Sequence, residues 1–339
     1  MRLSPVRRPS SLRFAVTASA VALAAVSTTV VGPATAVTPT TTSAATVAPQ
    51  RVATAVPGAV DRRSRAAVLA AYKARYVAAL RVANNWNGSA AACRPGGTSM
   101  AYRNATLAAI NWARGQAGLT PVPGLNATYS GLAQRAALMM QANRSLSHNP
   151  PSSWRCWTSA GAAGAGHSNI ALGAAGARSV GLYLADPGST NTVVGHRRWL
   201  LFPRLGRIGI GNSGSANAIY VLGAPLAARP AGTPGYVAWP TAGFFPRGAE
   251  PAGLWSLSSS LGFSFRSAVV HVRGPNGAAV RVTRYAPVNG YGDNTLSWRL
   301  ASVPSRTARV DQSWRVSVTG IRTRSGALTS YTYTVTLVS

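Results

Sequence analysis

Apolar residues recur at helical spacing in the first part of this chain and alternate in the last. Val68, Leu69, Tyr72, Tyr76 and Leu80 keep the helical interval, while Arg62, Arg65, Lys73, Arg75 and Arg81 fall largely elsewhere. With Asp61 as an N-cap, they predict an amphipathic helix in an N-terminal extension over 61–98. Its apolar face is expected to pack on the domain that follows, in preference to a membrane surface. Ser99 is placed to cap a second helix carrying Leu107, Ile110 and Ala113 on one stripe, and Gly118 to end it in the left-handed conformation. A third helix is predicted from about Thr128 to Asn143, burying Leu132, Ala136, Met139 and Met140 and leaving Arg135 and Arg144 outside. The stretch from Trp154 to Gly176 is rich in Gly and Ala, too permissive for a long helix, and predicts loops lining a cleft. Short buried strands are expected at 207–211 and 218–222. Helices first and strands last, without regular alternation, predict an α+β domain over 99–223 in which helices cover a small antiparallel sheet.

After a Pro/Gly-rich linker at 224–236 the period becomes two. Segments 269–273, 279–283, 314–318 and 331–335 are runs of β-branched and aromatic residues separated by turn signals such as Pro275-Asn276-Gly277. They predict an all-β module over 237–339, an immunoglobulin-like sandwich of the kind used for binding or spacing. His271 lies within one of these alternations and reads as structural.

The front of the chain sets the compartment. Arg2, Arg7, Arg8 and Arg13 precede an apolar stretch from Phe14 to Val31, and Ala34-Thr35-Ala36 supplies a small-x-small cleavage pattern. Residues 1–36 therefore read as a secretory signal peptide. A membrane anchor is the alternative, since the apolar stretch is close to the roughly 20 residues that span a bilayer. Residues 37–60 are Thr, Ala, Pro and Val without period and read as a disordered linker. A secreted protein, extracellular or associated with the cell surface, is expected.

Charge adds a partner class. There are 34 Lys+Arg against 5 Asp+Glu, a net charge of +29. A field of that sign favours anionic surfaces such as wall polymers and phospholipid headgroups. The arginines are scattered and form no nucleic-acid-binding module, so no specific nucleic acid is expected. Cys93 and Cys156, the two cysteines of an exported chain, read as one disulfide. Closing a loop of about 64 residues stabilises the fold by about 4 kcal/mol in the chain-entropy picture. Neither cysteine is then free to act as a nucleophile.

Three of the four histidines stand in short polar signatures: Ser147-His148-Asn149-Pro150, Gly166-His167-Ser168-Asn169-Ile170-Ala171 and Gly195-His196-Arg197-Arg198. The only acid in 99–223 is Asp186, in a setting, Asp186-Pro187-Gly188, that equally makes a turn. Hydrolysis by paired carboxylates is thereby excluded for this domain. Asn111-x-x-Arg114, Gly118-Leu119-x-Pro121-Val122, Leu146-Ser147-His148, Asn169-Ile170-Ala171-x-Gly173, Gly195-His196-Arg197 and Ile208-Gly209-Ile210-Gly211 follow one another in an order that resembles the CAP superfamily. That superfamily is named for cysteine-rich secretory proteins, antigen 5 and pathogenesis-related protein 1, and the likeness is greatest to its bacterial secreted branch. It implies an α-β-α sandwich and a cleft lined by two histidines, here His148 and His196, with acidic partners and, in some members, a divalent metal. The family's Gly-Glu-Asn-Ile/Leu-Ala motif stands here as His167-Ser168-Asn169-Ile170-Ala171, so Ser168 replaces the glutamate.

Two chemistries follow. His148, His196 and His167 as a third ligand, with a water, would make an open tetrahedral site for Zn²⁺ or another divalent metal, capable of lowering that water's pKa to about 7. The imidazoles equally suit a metal-free polar cleft in which they bond to backbone and to Ser168 or Asn169. A Ser168 nucleophile with His148 or His196 as base is a further reading, although Ile170 stands where the nucleophile-elbow pattern has glycine. Asn169 is expected to fix the cleft backbone. The reading favoured by the sequence is a secreted CAP-domain protein that binds cell-envelope polymers, anionic lipids or hydrophobic small molecules through a cleft of His148, His167, Ser168, Asn169 and His196. A metal-dependent or Ser168-dependent extracellular hydrolase of peptides or wall components is the alternative.

Overall fold

The computed structural model describes residues 56–339. The expected signal peptide and residues 37–55 of the expected linker lie outside the described residues. Residues 56–60, read above as the end of a tether, are docked: the Val60 amide donates to Gly115 O at 3.0 Å, and Val60 is buried with Val68 and Val338. The expected cap also moves. Asp61 accepts from the Arg63 amide, and it is Ser64 whose hydroxyl caps helix α1 (Arg65–Ala71). The backbone then loosens into a π-helical turn over Tyr72–Val77. Tyr72 and Tyr76 lie against Trp112 at ring-centroid distances of 5.1 and 5.0 Å, so the apolar face of the extension does pack inward.

Helix α2 (Met100–Gln116) begins at the Ser99 cap, and Gly118 follows its end with φ +73°. Helix α3 (Ala127–Asn143) is capped by Asn126 and buries Ala133, Ala136, Ala137, Met139 and Met140. Where loops are expected between Trp154 and Gly176, the chain forms helix α4 (Ser159–Gly166) and strand β1 (Ser168–Leu172). The glycines that argue against this helix are what let it form. A Cβ on Gly164 would lie 2.2 Å from Leu132 O, so α4 packs backbone to backbone on α3, and tertiary packing overrides weak propensity. Helices α5 (Ala177–Ala185) and α6 (Gly195–Leu200) and strands β2 (Gly209–Asn212) and β3 (Ala216–Tyr220) complete this part.

The sheet is antiparallel in the order β1-β3-β2. Alternation along β3 divides its faces: Ala216, Ala218 and Tyr220 meet α3 and α4, while Ile219 joins α2 and α5 on the other side. In β2, added Cβ atoms on Gly209 and Gly211 would lie 2.2 Å from the α3 backbone. The motif Ile208-Gly209-Ile210-Gly211 thus presents a flat face to α3 and buries its isoleucines opposite. Cys93 and Cys156 are joined, with Cα atoms 5.0 Å apart.

The C-terminal part is two sheets. Strands β4 (Tyr236–Trp239), β6 (Leu254–Ser259), β10 (Asn294–Leu300) and β9 (Val282–Arg284) form one, in the order β4-β6-β10-β9. Strands β5 (Gly243–Pro246), β12 (Leu328–Val338), β11 (Gln312–Arg322), β7 (Val269–Arg273) and β8 (Ala279–Val280) form the other, in the order β5-β12-β11-β7-β8, with β5 parallel to β12 and the remaining pairs antiparallel. Trp255 of the first sheet meets Trp314 of the second edge-on at 6.2 Å. The main hydrophobic core runs through both parts, crossed by the Trp112–Trp239 contact at 6.1 Å and by Gln116, whose amide donates to Thr241 and Phe244 O. Among the described residues no helix is long and apolar enough to cross a membrane.

Candidate functional site

The segment between α5 and α6 carries the geometry. Asp186 ends α5 with φ +48°, and its carboxylate is fully buried. Oδ1 accepts from His196 Nδ1 at 2.6 Å, and Oδ2 accepts from the Arg197 amide at 3.1 Å. The turn signal noted in the sequence is therefore also a carboxylate that orients an imidazole. Val194, buried and β-branched, sits at φ +48° directly before α6. Such a conformation costs on the order of 1–3 kcal/mol and persists only where surroundings over-determine it. Here Ser297 Oγ of β10 donates to Thr192 O, and Asn169 Nδ2 donates to His196 O at 3.0 Å. Tyr183, whose ring lies 5.4 Å from that of His196, donates its hydroxyl to Asn169 O and Asn217 Oδ1. Burial raises the Tyr183 phenol well above its ordinary range, keeping it a donor.

His148 comes from the loop after α3. Its Nδ1 lies 3.0 Å from Ala165 O, and its ring centroid 6.4 Å from that of His196. A carbonyl oxygen only accepts, so Nδ1 of His148 carries the proton; by the same logic the Asp186 carboxylate fixes the proton on Nδ1 of His196. Nε2 is then the ring nitrogen left without a protein partner in each. Both histidines line a cavity of about 430 Å³ together with Ser168, Asn169, Trp199 and Tyr291. The Ser168 hydroxyl is buried and has no hydrogen-bond partner. An adjoining hollow of about 410 Å³ shares Trp199 and continues past Phe202, Leu205 and Pro225.

Two expectations change here. His167 does not line the cavity: its Nδ1 binds Ala163 O at 2.8 Å and its exposed ring stacks on Tyr220 at 5.2 Å, because it ends α4 one residue before the sheet. The three-histidine metal site is consequently not formed, and among the described residues no group of three His, Cys, Asp or Glu is arranged to hold a metal ion. Ser168 stands where the resembled family carries glutamate, and Asp186 is engaged by His196 Nδ1 and the Arg197 amide. The residues present do not fit a three-donor zinc centre. Ser168 makes no hydrogen bond to either cleft histidine, and it lies on strand β1 instead of a strand-to-helix elbow.

The arginines after His196 were not separated by sequence reasoning. Arg197 is fully buried and donates to Leu184 O, Ala185 O and Ser256 Oγ of β6; burial lowers its pKa to about 10, so it remains charged at neutral pH. Arg198 donates to Val288 O and Asp293 O in the loop between β9 and β10 and lies under the Tyr291 ring, 5.5 Å from its centroid. Trp199 and Tyr291 are the aromatic cleft residues that sequence reading missed, Tyr291 from outside the first domain. The signal of Tyr291 was an aromatic set between glycines, Gly290-Tyr291-Gly292.

Residues 107–223 match the model of the CAP family, described as the cysteine-rich secretory protein family. The matched span includes His148, His167, Ser168, Asn169 and His196. No curated protein matches the chain.

Proposed function

We propose that this CAP-domain chain belongs to the bacterial secreted branch of its superfamily and acts outside the cell as a binding module. Its partners are cell-envelope polymers, anionic lipids or hydrophobic small molecules. The observation that carries this reading is the cleft itself: two imidazoles, each turned by Nδ1 to a protein acceptor, and an unpartnered buried hydroxyl line one cavity. Surface charge supplies retention. All five acids are engaged: Asp61 with Arg63, Asp311 with Arg65, Asp293 with Arg229, Asp186 with His196, and Glu250 with the Gly253 amide and Trp255 Nε1. Arg114, Arg197, Arg198 and Arg247 are buried, but exposed arginines such as Arg81, Arg94, Arg144 and Arg155 have no acidic partner, a field that holds the protein near anionic material while the cleft selects. The strand orders β4-β6-β10-β9 and β5-β12-β11-β7-β8, with β5 crossing to run parallel to β12, support an immunoglobulin-like sandwich for the C-terminal part.

Retention of the purified protein on wall preparations and anionic vesicles tests the proposal. Retention is expected to fall as salt is raised, and saturable cleft binding is expected to disappear in the double variant His148→Ala/His196→Ala. Retention unchanged by salt, or binding unchanged in the double variant, would refute it. The unpartnered Ser168 hydroxyl beside two imidazoles favours a second reading, a Ser168-dependent hydrolase of peptides or wall components. Turnover abolished by Ser168→Ala would establish that reading instead.

A further inference from the structure

We infer that the histidine cleft takes a neutral, hydroxyl-rich ring, one sugar unit of a glycan, and that the loop between β9 and β10 supplies the aromatic platform on which that ring rests. The inference rests on the reading of the cleft as a binding site. Its first support is charge. In a chain with 34 Lys+Arg, no Arg, Lys, Asp or Glu lines the cavity. An anionic headgroup or a carboxylate entering it would meet no fixed counter-charge, whereas every Arg nearby is turned elsewhere. Arg197 points into the core, and Arg198 is engaged by the carbonyls of Val288 and Asp293.

The second support is hydrogen-bonding complementarity. His148 and His196 each turn Nδ1 to a protein acceptor, which leaves Nε2 as the ring nitrogen with no protein hydrogen bond, and Ser168 Oγ is at least nine-tenths buried with no partner. Such a polar lining is matched by hydroxyl and acetamido groups, which both donate and accept. The third is the pair of aromatic walls. Trp199 and Tyr291 come from the two halves of the molecule and both line the cavity, and an aromatic ring supplies the apolar surface that the C–H side of a sugar ring requires. Tyr291 is fixed for this task. Arg198 lies against one side of it, and Gly195 has no Cβ, which would lie 3.1 Å from the ring. Tyr291 is 40% exposed, and His148 is exposed as well, so the cleft is open at that end and accommodates a unit within a longer polymer.

The experiment titrates the full chain with neutral tetrasaccharides of glucose, N-acetylglucosamine and mannose, and separately with phosphatidylglycerol vesicles. Calorimetry reports affinity, and the imidazole NMR signals of His148 and His196 report cleft occupancy. At least one tetrasaccharide is expected to bind with little salt dependence and to shift both histidines. Tyr291→Ala is expected to weaken it by about tenfold and Tyr291→Phe to retain most of the affinity. An unchanged melting temperature in both variants confirms that the fold survives. Absence of binding by all three sugars, or full affinity in Tyr291→Ala, overturns the inference. Vesicles that shift the two histidines when sugars do not would leave the cleft as a binding site while removing its sugar ligand. If neither class shifts them, the binding reading falls too.

Discussion

At the scale of single residues, the pair Asp186 and His196 decides what the cleft is. The carboxylate is fully buried and accepts from two donors, so replacing it with asparagine places an amide NH₂ against one of them. Asp186→Asn is expected to lower stability by about 1–3 kcal/mol, measured by urea unfolding, because a buried donor loses its acceptor. The same change frees the proton on His196 Nδ1 to move to Nε2, so the imidazole signal of His196 in NMR should report a changed tautomer while that of His148 does not. A stable variant with both signals unaltered would show that Asp186 orients nothing. The sequence named His148, His196, Ser168 and Asn169, and the fold brings all four to one cavity. It misplaced His167, because whether a residue at a helix-to-strand junction faces in or out depends on one step of register that composition does not carry. Tyr291 escaped for a different reason: a tyrosine between two glycines marks a turn but does not say which distant segment it will meet.

Among elements, α4 carries the clearest lesson. Its sequence, Ser-Ala-Gly-Ala-Ala-Gly-Ala-Gly, has weak helical preference, and the helix exists because small residues allow contact with α3. Gly164→Ala would bring a methyl within 2.2 Å of Leu132 O, a backbone atom that a rotamer change cannot move. Overpacking of this kind is expected to cost about 1–3 kcal/mol, read as a shifted urea midpoint. Gly173→Ala meets no atom within 4 Å but has φ +83°, so its cost is confined to backbone strain. Should Gly164→Ala prove neutral, the close α3–α4 approach is wrong. Helix α2 was legible because stripe, cap and terminator agree, and α3 because its apolar stripe is sustained over most of its 17 residues. Strand β1 was not, since five residues enclosed on both sides show no alternation. The twelfth strand, β12, displays alternation over much of its length and was correspondingly visible in part.

For the whole molecule, linear pattern separated two regions correctly in character but gave no hint that they share a core. Contacts between residues such as Gln116 and Phe244 are long-range and leave no periodic trace. Buried phenols test that core. Burial pushes Tyr76 up to about 12, with repulsion from Tyr72 adding to it, and raises Tyr183 and Tyr333 in the same direction. A neutral phenol favoured by the fold contributes stability that is complete below the unfolded value near 10 and is lost as pH rises, for Tyr76 through about 12. Ultraviolet titration should therefore show a late-ionising class of tyrosines in the folded chain; simultaneous ionisation of all 11 would contradict the burial. A last consequence follows from how the interior cations are held. Arg114 donates to the carbonyls of Thr120, Leu200 and Phe202, and Arg247 to those of Ser305, Val310 and Leu337, so main-chain oxygens stand where other proteins use carboxylates. Acid unfolds proteins largely by neutralising paired carboxylates, and peptide oxygens take up no proton in that range. These internal ties would persist in a sour environment that loosens ordinary ion-paired folds.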